Sequence, residues 1–247
     1  MTTLAIETLN AMSAEQLSAL LAPGSPDRVS AIRLTAEAGH ADAQAALGQM
    51  LLDGAEVPRD HAAAIGWFHK AAEQGHVMAI NMIGRCFDLG WSVPVDKVRA
   101  AQWFKAAADR GLDWGMYNYA KMLVAGEGVP EDKPAALALL RKAADMGLAK
   151  AVNLVGSFYE DGLVVGQDLA AAAEHYRVAA EGGDFRGCFN HARMRIYTGD
   201  IDGALHWIGR IRESATAAFL DKTEAWLRAS PDTVLRDQGI AALRGLR

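Results

Sequence analysis

Two rows of residues hold the side chains best suited to chemistry, and both recur with one spacing. Ala45, Asn81, Tyr117, Asn153 and Phe189 stand 36 residues apart, and Gln49, Arg85, Lys121, Ser157 and Arg193 follow them four positions on. Residues four apart share a face of a helix, so wherever these segments are helical the two rows form one stripe. Its chemistry is that of binding. An Asn amide can donate to and accept from a peptide backbone, Tyr117 and Phe189 offer flat apolar contact, and Arg85, Lys121 and Arg193 attract carboxylates. The same positions also read as ordinary solvated helix residues, and loops or the ends of the chain offer other surfaces.

Catalysis would need a nucleophile with a base beside it, and the sequence does not assemble one. Ser157 is the only serine of the second row and no histidine is assigned next to it. The chain contains no H-E-x-x-H, C-x-x-C, phosphate-cradling glycine loop, dinucleotide fingerprint or G-x-S-x-G. The seven histidines form no i, i+4 pair, and His61 and His69 are eight positions apart, too far to ligate one metal together. The expectation is no catalytic, metal or cofactor-binding residue, and therefore not an enzyme. Cys86 and Cys188 lie almost three periods apart, so they are expected to be free thiols of a reducing compartment.

The elements that must position the stripe follow from the period. Gly39, Gly75, Gly111, Gly147 and Gly183 recur every 36 residues, as do Gly54 to Gly162, Val57 to Val165 and Asp60 to Asp168. Four series locked to one step define a repeat unit. In the first unit Ala43, Leu47, Gly48 and Leu51 mark a helix, here helix A, with a small apolar stripe. Gly54 supplies a left-handed stop, and Asp60 offers its carboxylate to the free N–H groups of a second helix, helix B. That helix carries Ala64, Trp67, Phe68, Ala71 and Ala72 at i, i+3, i+4, i+7, i+8. Trp67 and Trp103 read as core rather than a ligand-stacking pair, and the aspartates as caps rather than a carboxylate ladder. A pair this small cannot bury its own apolar face, so units must stack. The expected fold is all-α, an α/α solenoid: a right-handed superhelix of antiparallel helix pairs with a 36-residue repeat.

The motif A-x-x-x-L-G, then G-x-x-V-P-x-D, then W-F-x-K-A-A-E-Q-G, carried by Ala43, Leu47, Gly48, Gly54, Val57, Pro58, Asp60 and Trp67 to Gly75, resembles the Sel1-like repeat, a relative of the tetratricopeptide repeat. The likeness covers residues 27–183. It implies that helix A lines a concave face, and that the row of Asn81 rather than that of Ala46, Met82, Asn118, Leu154 and Asn190 points inward. On that reading Asn81, Arg85, Tyr117, Lys121, Asn153, Ser157, Phe189 and Arg193 bind a partner protein, as an acidic extended segment or C-terminal tail. The resemblance further implies a non-catalytic adaptor or scaffold. The alternatives are an immunity or inhibitor protein that neutralises a toxin, or an enzyme-associated relative such as a hydrolase or β-lactam binder, although no S-x-x-K occurs.

The repeat divides the chain into a helical cap (1–26), the repeats (27–183), and a degenerate unit with capping helices (184–247). In the cap, Ser13 to Ala22 is expected to be a helix A for a lone helix B at 28–39. Past Gly183, Asp200, Ala204 and Trp207 restore the helix B spacing after a loop about four residues short, and 215–229 and 232–246 read as two closing helices. With 51% hydrophobic but 7% aromatic residues and a net charge of −5, nucleic acid is not an expected partner. Residues 184–247 hold ten Lys and Arg against eight Asp and Glu, with Arg186, Arg193, Arg195, Arg210 and Arg212 close together. They read as cover for the end of the stack, or less favourably as a second contact surface. Met1 to Leu21 lacks a secretory leader's pattern and no stretch approaches a bilayer span, so the expectation is a cytoplasmic monomer or weak homodimer.

Overall fold

The computed structural model describes residues 6–246; Met1 to Ala5 of the opening stretch and Arg247 of the last segment lie outside them. The described residues form helices and no strand. They divide into two compact units, Met1–Glu131 and Asp132–Arg247. The first holds α1 (Ile6–Asn10), α2 (Ala14–Leu21), α3 (Arg28–Glu37), α4 (Ala41–Asp53), α5 (His61–Glu73), α6 (Val77–Leu89), α7 (Lys97–Asp109) and α8 (Asp113–Ala125). The second holds α9 (Lys133–Asp145), α10 (Ala149–Asp161), α11 (Leu169–Glu181), α12 (Phe185–Tyr197), α13 (Ile201–Ile211), α14 (Ala217–Arg228) and α15 (Thr233–Arg244). Helices α3 to α8 in the first unit and α9 to α13 in the second each pack on the next, so the α/α repeat fold expected from the period is present. No described helix is long and apolar enough to cross a membrane.

The stop and start of each repeat are built as the residues require. Helices α4, α6, α8 and α10 end at Gly54, Gly90, Gly126 and Gly162, whose φ of 67° to 74° is left-handed. Asp60, Asp96, Asp132 and Asp168 then each accept the backbone N–H three residues on at 2.9 Å. Ser13 forms a reciprocal capping box with Gln16 at the start of α2. Asp200 and Asp232 cap α13 and α15.

Close approach decides the L-G pair. A Cβ on Gly48 or Gly84 would fall 2.7 Å from the ring of Phe68 or Phe104, and one on Gly156 2.8 Å from the Tyr176 ring. The rings that fill these gaps are fully buried. Trp67 and Trp103 are half-buried and pack at the margin of the same core. In the second unit α15 packs on α13, and the cluster of Ile208, Ile211, Leu227, Leu235 and Leu243 closes the end of the chain.

Candidate functional site

The A helices of the first unit, α4, α6 and α8, carry the first part of the stripe, and the structure corrects which of its two rows is open. Asn81 is 2% exposed and Tyr117 9%. Asn118 Nδ2 donates to Asn81 Oδ1 at 2.9 Å, so the Asn81 carbonyl oxygen joins α6 to α8 and is not turned toward a partner's backbone. The physical reason is the tight spacing of stacked A helices, which buries the side chain nearest the next helix. The open amide of the pair is Asn118, in the row that had been set aside.

The second row stays accessible. Arg85 is half-buried, with its guanidinium 4.8 Å from the centre of the Trp91 ring and Nη1 3.8 Å from Met82 Sδ. Among the described residues no carboxylate makes an ion pair with it. Burial pushes its pKa down, partly offset by Cys86, Asp53 and Asp88. Gln49 is occupied by Asp53 at 2.7 Å. Lys121 is exposed, with Nζ 5.8 Å from the Tyr117 ring centre, and borders a hollow of about 210 Å³ with Asn118, Asp88, Lys97 and Glu127. Lys97 there is bonded to Asp88 and Glu127.

In the second unit the same positions are used internally. Asn153 is 4% exposed and its Oδ1 accepts from Asn190 Nδ2 at 2.9 Å, repeating the Asn81–Asn118 pair. Arg193, expected to attract a partner's carboxylate, is bonded to Glu160 and, through Nη1, to Asn190 Oδ1. Phe189 lies against Phe219 and Trp226 of α14, with ring centres 5.8 and 5.1 Å away; an apolar ring near the end of the chain is covered by the closing helix. Ser157 Oγ donates back to Leu154 O at 2.8 Å. Two more of the arginine cluster are ion-paired, Arg195 with Asp200 and Arg210 with Glu213, while Arg186 lies over the Phe185 ring.

The remaining groups are arranged as structure rather than chemistry. Cys86 and Cys188 are buried and free, and burial raises each thiol to about 11, far from a reactive thiolate. His191 is buried against Trp207, and Arg195 Nε donates to its Nε2 at 3.1 Å, leaving Nδ1 without a partner. Burial, then the Arg195 charge, lowers its pKa. His175 Nδ1 bonds Ala171 O at 2.8 Å beside Tyr159, a core-edge position as expected. Sequence reasoning placed Asn118 and Asn190 in the row that points away from a partner, and missed Trp91 and Glu160. The two asparagines had a signal, because the Asn81/Asn118 and Asn153/Asn190 pairs are both separated by one period plus one residue.

The sequence matches the model described as Sel1 repeat over residues 41–76, 77–112, 115–148 and 149–184. No curated protein sequence matches the chain. Among solved structures, the fold is similar to a Sel1 repeat protein from Oxalobacter formigenes, with TM-score 0.70 and 21% identity over 94% of this chain and 93% of that one. A putative Sel1 repeat protein from Klebsiella pneumoniae aligns with TM-score 0.54 and 24% identity over 74% of this chain and 91% of that one. The immunity protein Pa5087 from Pseudomonas aeruginosa aligns with TM-score 0.57 and 18% identity, over 83% and 81%. At these identities the likenesses are of fold.

Proposed function

Because this chain belongs to the Sel1 repeat family, a stacked-repeat fold that presents extended binding surfaces, we propose that it is a non-catalytic scaffold that binds a carboxylate-bearing segment of a partner protein. The contact is at Arg85 and Lys121 in the Met1–Glu131 unit. The observation that carries this reading is Arg85. A guanidinium held against Trp91, partly desolvated and in ion-pair contact with no described carboxylate, gains from an incoming anion more than a fully hydrated one does. Lys121 adds a second positive charge, and Asn118 an amide that can reach a peptide backbone. Asn81 and Tyr117, both buried, act behind this surface by fixing the spacing of the A helices. The Ser157 hydroxyl, bonded to Leu154 O, and His175 Nδ1, bonded to Ala171 O, are engaged with their own helices, which supports the non-catalytic part.

The test is fluorescence anisotropy of a labelled twelve-residue Asp/Glu-rich peptide on the full chain, with an amidated Gln/Ser peptide of equal length as control. Binding of the acidic peptide alone is expected, weakening with salt and falling about ten-fold or more in Arg85→Ala. Equal affinity of wild type and Arg85→Ala would remove the site from α6. An immunity role is a special case of the same reading: Pa5087 is called an immunity protein, and a toxin domain would then be the partner that bears the carboxylates.

A further inference from the structure

The second unit presents a surface of different character. A groove of about 550 Å³ runs between α11, α12 and α14, walled by Leu169, Ala173, Met194, Ile196, Tyr197 and Trp226. Tyr197 is 83% and Trp226 37% exposed, and Leu169 is also open to solvent. We propose that this groove holds the apolar face of an uncharged amphipathic segment of a partner protein.

The choice of occupant follows from what the groove lacks. Its charged groups are Arg193 and Glu160, and they satisfy each other. The second oxygen of Glu160 accepts the Tyr176 hydroxyl at 2.6 Å, and Nη1 of Arg193 donates to Asn190 Oδ1 at 3.0 Å. The Thr198 hydroxyl donates to the Arg195 carbonyl oxygen at 3.0 Å. A charged ligand would therefore be stripped of water against groups with little to offer it, whereas Leu, Ile, Met or Phe side chains bury apolar area without that cost. The volume lies in the range of about 300–1,000 Å³ of concave binding sites, and open Trp and Tyr side chains are the types that anchor interfaces. An amphipathic helix presenting residues at i, i+3 and i+4 is the segment that offers a narrow apolar stripe to such a groove.

The test is a randomised twelve-residue phage-displayed library selected on the full chain and, in parallel, on Ala170→Glu. Ala170 lines the mouth of the groove and is exposed, so the substitution places a carboxylate there without entering the core. Enrichment is expected of peptides that carry no net charge, have two or more large apolar residues at i, i+3 or i+4, and bind wild type at least ten-fold tighter than Ala170→Glu or Trp226→Ala. Selected peptides that bind wild type and Ala170→Glu alike would overturn the proposal, as would acidic consensus sequences. Binding of a small apolar probe such as 1-naphthol in the groove with no peptide enrichment would replace it by a small-molecule pocket. The outcome is independent of Arg85, so either site can fail alone.

Discussion

The Asn81–Asn118 pair is a residue-level device with a thermodynamic consequence. A buried amide that loses its partner leaves a desolvated polar group behind, which costs about 1–3 kcal/mol. Asn81→Ala removes the acceptor used by Asn118 and opens space beside α8, so it is expected to destabilise by about 1–3 kcal/mol, where exposure would have made it silent. Asn118→Ala should cost at least as much, because it leaves the buried Asn81 oxygen without its donor. A double-mutant cycle by urea unfolding should return a coupling energy near 1 kcal/mol; additive singles would show that the hydrogen bond contributes nothing. The same reasoning applies to Asn153 and Asn190.

Among the elements, the closing hairpin adds to its buried leucines one carboxylate that clamps both helices. Glu224 of α14 accepts from Arg228 one turn on and from Arg244 near the end of α15. The Arg244 contact first, then Arg228, hold the Glu224 carboxyl at about 2, well below its usual range. A folded pKa below the unfolded value of about 4.3 means stabilisation that is present above that value and lost as pH falls toward about 2. Titration followed by side-chain carboxyl NMR should place Glu224 at about 2. Arg244→Ala should raise it toward the ordinary value and flatten the acid side of the stability profile. A Glu224 resonance titrating near pH 4 in wild type would mean that α14 and α15 are not clamped in solution. The aspartate caps work on the same scale, each meeting one free N–H of a B helix, and replacing Asp96 by Ala should cost about 1 kcal/mol.

For the molecule as a whole, the net charge of −5 conceals a local distribution that governs what can bind. The first unit holds Arg85 in no ion pair among the described residues, while in the second Arg193, Arg195 and Arg210 are ion-paired and apolar surface is left open. The closing helices determine how much of that surface is exposed. Removing residues 217–247 would uncover Ile208 and Ile211, both fully buried, and strip the ring contacts from Phe185 and Phe189. At about 1.5–3 kcal/mol per large apolar side chain returned to water, the shortened chain is expected to melt about 10 °C lower or more, to self-associate, and to bind a hydrophobic dye. An unchanged melting curve would show that the repeats support themselves without α14 and α15.

The sequence by itself determined the helix pairs, their stops and caps, and the division of each pair into a tight small-residue helix and a wider aromatic one. These depend on local chemistry repeated at one period: Gly54 must turn left-handed, Asp60 must meet free N–H groups, and Gly84 must leave room for Phe104. The closing helices were legible for the same reason, through Asp232 and an apolar stripe. The exposure of the stripe was decided only by tertiary structure. Whether Asn81 faces a partner or Asn118 depends on how closely α6 and α8 stack, a rotation of one residue that periodicity leaves open. The pairing of Arg193 with Glu160 and the cover of Phe189 by Trp226 join residues more than 30 positions apart, and no local spacing specifies such contacts.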